Sequence, residues 1–306
     1  MKKNLYIECN SGISGDMTVG ALLDLGADKK ALDRALNSIE AEGFKIVISK
    51  VKKSGLLVTD FDVVLDHDHD GHDHDMDYLY GHLSAHQSIE ESHHHEHNME
   101  HNHEHHYAEN HEHNEMHIDE HHHHHGEESH HHMHRGMKEI NEILDKVDMT
   151  PNARKICDKI FSIVAEAEAQ VHGTTIEEVH FHEVGAIDSI VDIVAVAVLI
   201  DSLGVDEIFV TPLAEGCGTV RCQHGILPVP VPAVAAIAAK HSLTLEMTGI
   251  PGELVTPTGA AIAAALRTSS KLPKTFVIEK IGMGAGKRET GLAGIVRAML
   301  ITTDAN

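Results

Sequence analysis

Between Asp66 and His134 the chain holds 26 of its 31 histidines and 18 of its 48 acidic residues, with no lysine or arginine. Few apolar side chains and no sustained period run through this stretch, so burial cannot offset the entropy of ordering it. It is expected to be disordered when metal-free, and it excludes itself from any core. The tract is internal, irregular and laced with acids, unlike an expression tag. The chain is therefore expected to have three parts: an N-terminal α/β unit at 1–65, the disordered insertion at 66–134, and a main α/β part at 135–306 that packs with the first.

The tract also distorts the net charge of −24, because the other residues carry 24 basic and 30 acidic side chains, a balance of only −6. Without clustered Lys and Arg, nucleic-acid binding through phosphates is not expected. Aromatics at 3%, with no Trp, argue against a base-stacking surface. Four cysteines, none in a CxxC pair, make no disulfide framework and fit the reducing cytoplasm. The N-terminus MKKNLYIECNSG has too short an apolar run for a secretory leader. The longest apolar run, around Ile190 to Ile200, meets Asp192 and Asp201, so no membrane span is expected.

Periodicity gives alternating elements on both sides of the tract. LYIE reads as a strand, Met17 to Leu25 as a helix, and Asp28 as the cap of a second helix through about Ala41. FKIVISKV and LLVTDFDVVL read as strands. After the tract, helices are expected from Met137 to Val147, from the Thr150-Pro151 cap to about Val171, and from Asp188 to Leu203. EIFVTPL, TFVIEKI and IVRAMLI read as strands, and Pro232 to Lys240 and Thr258 to Leu266 as small-residue helices. The class is α/β or α+β, with mixed sheets and helices.

Five stretches carry candidate chemistry. In VHFHEVGAIDSIVDI, an extended Val179 to Val184 puts His180 and His182 on one face. Asp188 and Asp192, four apart, share a helix face. The turn at Gly185 brings imidazole and carboxylate together in an apolar wall: a metal site at His180 and His182 with Glu183, Asp188 and Asp192 as acid–base groups. Alternatively Asp188 is a helix N-cap and the histidines are ordinary core or surface groups. CNSGISGDM lies between strand and helix, where Ser14, Gly15 and Asp16 either face an anion at the helix N-terminus or serve as an ordinary cap. CQHGILPVPVPA carries His224, with Cys217 and Cys222 nearby as soft ligands or small apolar residues. GELVTPTGAA offers Thr256 and Thr258 to a phosphate or carboxylate. GMGAGKRE follows a strand and offers Lys287 and Arg288 to an anionic nucleotide, although no Rossmann fingerprint is present. Within the tract, His67, His69, His72, His74, His121, His122, His123, His124 and His125 stand for many weak, exchangeable sites for nickel, zinc or cobalt. The alternative is a solubilising loop that changes charge sign as pH falls through ~6.5.

In this order, SGISGDM, HFHEVGAIDSIVDI, HGILPVPVPA, GELVTPTGA and GMGAGKRE resemble the LarC-type nickel insertion proteins, as does the His-rich insertion. The resemblance covers nearly the whole chain outside the tract. It implies a cytoplasmic nickel insertase, a cyclometallase of the lyase class. The substrate would be pyridinium-3,5-bisthiocarboxylic acid mononucleotide, converted to the nickel-pincer cofactor of lactate racemase, with CTP and Mg²⁺ or Mn²⁺ required. Nickel storage or chaperoning without turnover is the alternative. After GMGAGKRE this chain has GLAGIVRAML where the family has a Pro-Asn-Val-Leu-Arg-like run. Family members continue into a C-terminal domain associated with nucleotide binding, so the chain is expected to correspond to the N-terminal part, with a C-terminal half as a possible separate partner. The lactate racemase maturation pathway is the expected context, and a homo-oligomer is expected.

Overall fold

The structure, a computed structural model, describes residues 2–41, 43–65, 135–179, 181, 186–222, 224–269 and 271–303. The expected disorder of 66–134 lies outside these residues, as do the histidines named within it. The described chain is a mixed α/β fold.

Its centre is a six-stranded sheet in the order β2-β3-β9-β10-β1-β4. These strands are β1 (Lys2–Glu8), β2 (Phe44–Lys53), β3 (Leu56–Leu65), β4 (Glu207–Val210), β9 (Val277–Ala285) and β10 (Ile295–Thr303). The first and last strands pair antiparallel, from Lys2↔Thr303 to Glu8↔Arg297, and β4 joins β1 in parallel. β3 meets β9 in parallel at Thr59↔Gly284, so strands from both sides of the His tract share one sheet. Two small pairs complete the strands: β5 (Leu213–Cys217) with β8 (Leu245–Pro251), and the hairpin of β6 (Thr219–Cys222) and β7 (Gly225–Pro228).

The helices are α1 (Gly15–Leu25), α2 (Lys29–Asn37), α3 (Met137–Leu144), α4 (Pro151–His172), α5 (Ile187–Leu203), α6 (Pro232–His241) and α7 (Pro257–Leu266). α1 packs on β3, β9 and β10, and α5 packs in turn on α1, α2 and α4. Apolar residues occupy nearly every side of α5, and twelve of its residues are buried, as expected of a helix enclosed by others. Asp192 is therefore carried by a helix with little water around it.

Caps expected from sequence are present. The Asp28 side chain accepts from the Lys30 and Ala31 amides, and the Thr150 hydroxyl accepts from the Ala153 amide at 3.0 Å, with Pro151 at the first helical position. Thr150→Ala is expected to lower unfolding free energy by about 1 kcal/mol, read as a lower denaturant midpoint with unchanged slope. An unchanged midpoint would show that the cap is energetically idle.

Several boundaries differ from expectation. α2 ends at Asn37, where Ser38 takes the C-cap position. Ala186, not Asp188, is the N-cap of α5, which places Asp188 inside the first turn. The glycines of GMGAGKRE do not follow a strand; Gly282 and Gly284 lie within β9. A Cβ on Gly284 would stand 1.9 Å from the Met17 carbonyl oxygen, and one on Gly282 would stand 2.3 Å from that of Ala21. These glycines let a helix backbone approach a strand backbone, a packing demand that a phosphate-loop motif resembles in sequence. The short strands of β5 to β8 escaped the sequence reading because Gly and Pro interrupt their alternation.

Candidate functional site

The loop after β1 turns into α1 against two other motifs. The Ile13 amide donates to the Leu254 carbonyl at 3.0 Å, and the Thr256 amide donates to the Ile13 carbonyl at 3.1 Å. A Cβ on Gly259 would lie 2.1 Å from the Ile13 oxygen, so only glycine lets α7 start there. Arg288 Nη1 donates to the Glu253 carbonyl at 2.5 Å and Nη2 to its carboxylate at 3.0 Å, which clips the GMGAGKRE end onto the GELVT loop. SGISGDM, GELVTPTGA and GMGAGKRE thus meet at the N-terminus of α1.

The fourth contributor is α5. Asp192 lies directly beside Gly15, where an added Cβ would stand 2.3 Å from Asp192 Oδ2. The backbone N–H of Asp16 donates to the Asp192 carboxylate. The sequence left this helix start either as an anion site or as an ordinary cap; the Asp16 amide meets the protein's own carboxylate. Asp192 Oδ1 is enclosed and has no hydrogen-bond partner among the described residues. Burial, reinforced by the charges of Asp16 and Asp188, raises the Asp192 pKa well above the ordinary carboxylate range, while Lys287 and the Asp16 amide pull it down. A buried carboxylate shifts this way because desolvation disfavours its charged form. The Ser14 hydroxyl is turned onto the Asp16 carboxylate rather than capping the helix.

Lys287 pairs with Asp62. Burial alone would lower its pKa, but Asp16, Asp62 and Asp192 raise it, so it stays charged. Asp60, raised by burial and by Asp62 and Asp16 against the pull of Lys287 and Lys53, completes the group. Asp16, Asp60, Asp62, Asp188 and Asp192 outnumber Lys287 and Lys53, and this charge balance suits a cation better than a free anion. No three His, Cys, Asp or Glu side chains converge on a single metal position among the described residues.

The remaining expected residues fall elsewhere. The Thr256 hydroxyl caps α7 through the Gly259 amide at 3.1 Å, and Thr258 is buried. Arg288 is turned to Glu253. Lys287, Arg288 and Thr256 are thus engaged within the protein. His224 sits at the β6–β7 turn, 5.0 Å ring to ring from His172. His180, His182 and Glu183 lie outside the described residues, but Phe181 between the two histidines is described. Its amide donates to the Arg135 carbonyl at 3.1 Å. The chain leaving the His tract is therefore bridged to the middle of HFHEVG.

One buried acid went unnoticed in the sequence. Glu215 in β5 is fully buried, and its Oε1 accepts from the amides of Gly216, Leu254 and Val255 at 2.7, 2.8 and 3.2 Å. Burial raises its pKa against the pull of these amides. It orders the GELVT loop that supports α1. Its only sequence signal is an acid inside the apolar run LAEGC.

Over residues 5–306 the chain matches the family described as "Nickel insertion protein". It is 45% identical over 306 residues to the pyridinium-3,5-bisthiocarboxylic acid mononucleotide nickel insertion protein of Alkaliphilus metalliredigens, covering 100% of this chain and 62% of that protein. Proteins of the same description from Clostridium acetobutylicum and Acetivibrio thermocellus are 42% and 36% identical, over 97% of this chain in each case and 63% and 60% of their own lengths. No solved structure matches the chain. The chain belongs to the nickel insertion protein family. It spans between 60% and 63% of the length of these three relatives.

Proposed function

We propose that this chain carries the metal-inserting part of a nickel insertase acting on pyridinium-3,5-bisthiocarboxylic acid mononucleotide, with the product serving lactate racemase. The observation that carries the chemistry is the Asp192 carboxylate, enclosed at Oδ1 and set beside Asp188 and Asp16 at the start of α1. The names of the relatives supply the substrate.

In this reading Ni²⁺ is cargo. The tract histidines, His67 to His74 and His121 to His125 among them, raise its local concentration. His180, His182 and Glu183 receive one ion. The two thiocarboxylate sulfurs of the substrate then take it, since soft donors hold nickel strongly. The C4–H bond breaks, its electron pair becomes the nickel–carbon bond, and the proton passes to Asp192; nickel remains divalent. A carboxyl group with a raised pKa is a stronger base than an ordinary one, so Asp192 fits the acceptor role. Asp188, one helical turn away, sustains that raised pKa by repulsion. CTP with Mg²⁺ or Mn²⁺ and a cytoplasmic setting follow from the family reading alone, and no step here runs through the nucleotide.

The test is incubation of the purified chain, with and without a C-terminal family domain, in precursor, Ni²⁺, CTP and Mg²⁺, followed by mass spectrometry for the nickel product. Absence of product in both arms would defeat the proposal. The tract supports a second reading, nickel storage without turnover. Deleting 66–134 separates the two: an insertase keeps its rate at saturating Ni²⁺ and loses it only when Ni²⁺ is scarce, whereas a store loses its whole capacity.

A further inference from the structure

Behind the start of α1 lies a buried acid that the insertion chemistry leaves unused. Glu215 of β5 is fully buried, and three backbone amides converge on its Oε1: those of Gly216, Leu254 and Val255. Its Oε2 is enclosed, with no hydrogen-bond partner among the described residues. Gly216 lets the GELVT loop press against the strand, since a Cβ there would stand 1.7 Å from the Gly252 oxygen.

The Val255 N–H and the Leu254 carbonyl belong to one peptide group. Its N–H end donates to Glu215 at 3.2 Å, and its carbonyl end accepts from the Ile13 amide at 3.0 Å. Hydrogen bonds in series polarise one another, so the acid strengthens and aims the bond to Ile13. Gly12 leaves no slack at this contact, because a Cβ on it would stand 2.0 Å from the same Leu254 oxygen. The Leu254 carbonyl thus meets the loop before α1 at two successive residues, and moving it moves the helix start. Three residues after Ile13, the Asp16 amide donates to the Asp192 carboxylate.

The charged groups along this path are Glu253, which repels Glu215 and is held by Arg288, and those around Asp192. Asp192 faces Asp16 on α1, Asp188 on its own helix and Lys287 beyond β9, with Asp60 and Asp62 of β3 around that lysine.

We propose that Glu215 is a positioning residue for Asp192: through the Leu254–Val255 peptide it fixes the loop at Ile13, and so the Asp16 amide that touches the carboxylate. That Asp192 accepts a proton during insertion rests on the insertase reading; the coupling between the two carboxyl groups does not. The Asp16 amide favours the charged form of Asp192, so a displaced amide makes this carboxyl harder to ionise.

The test uses the full chain without nickel or precursor. The carboxyl carbon resonance of Asp192, identified by its absence in Asp192→Asn, is followed against pH, and exchange of the Asp16 amide is measured on the same samples. Glu215→Met removes the acceptor and keeps the bulk. Glu215→Asp keeps a carboxylate but withdraws it by one methylene, and carries the test if the Met variant does not fold. In each, Asp192 is expected to titrate about one pH unit higher than in the wild type, through a weakened hydrogen bond to its charged form. The Asp16 amide is expected to exchange about tenfold faster, while the Ala153 amide at the α4 cap keeps its rate. Glu215→Gln retains an oxygen at the same reach and is expected to show less than half of the titration shift. A folded Met or Asp variant in which Asp192 titrates as in the wild type overturns the proposal. So does equal acceleration of the Asp16 and Ala153 amides, which marks a general loss of stability. A Gln variant shifted as far as the others also overturns it, since lost charge and not lost position would then be the cause. A shift without nickel product defeats the insertase reading and leaves the coupling; product without a shift does the reverse.

Discussion

Asp192→Asn is expected to reduce nickel insertion by about 10²–10⁴-fold, the usual contribution of a positioned proton acceptor. Asparagine retains an oxygen that accepts from the Asp16 amide, so the fold is preserved and the loss appears in turnover while tract-bound nickel is unchanged. The wild type is expected to show a rate that rises with pH through an elevated carboxyl pKa, and the variant no such limb. Stability provides an independent check. Asp192 binds its proton more tightly in the folded than in the unfolded chain, because of burial and then Asp16 and Asp188. Its contribution to stability is fully present below the unfolded carboxyl pKa and is lost as pH rises from there through the raised folded value. Asp192→Asn removes that titration, so the variant is expected to lose less stability than the wild type over the same pH rise. Chemical denaturation at several pH values measures this. Equal insertion rates in the two proteins would remove Asp192 from the mechanism whatever the stability data show.

Gly284→Ala is expected to destabilise the fold by about 1–3 kcal/mol through overpacking. The added methyl would stand 1.9 Å from the Met17 carbonyl oxygen and 2.4 Å from the Ala21 amide nitrogen, both in the backbone of α1. No side-chain rotation relieves such a contact, so α1 must move off β9. That movement would also shift Gly15 and Asp16 from Asp192, and insertion activity is expected to fall along with the denaturation midpoint. If Gly284→Ala melts like the wild type, the glycines of GMGAGKRE do not serve close packing, and their role as an anion cradle regains its standing.

These two residues show where the sequence was legible. Asp192 stood out by spacing, because two acids four apart in an apolar helix are costly to bury without a partner, and the structure sets it against the start of α1. Helix caps at Asp28 and Thr150 were found because cap chemistry is local. The glycines of β9 were read as a loop because close approach between backbones leaves no mark on the strand's own pattern. Glu215 was missed for the same reason: the amides it satisfies at Leu254 and Val255 are about forty residues away.

The sequence by itself determined that 66–134 carries a dense set of imidazoles, that α/β elements stand on both sides of it, and that Asp188 and Asp192 share a face. These follow from composition and from periods of 2 and 3.6, which act over a few residues. Only the tertiary structure decided that Asp192 would meet the amide end of α1 rather than solvent, that Arg288 would hold Glu253, and that His224 would come to His172. Those outcomes depend on which elements pack together, since burial and opposing charge act between groups that the chain separates by up to hundreds of residues.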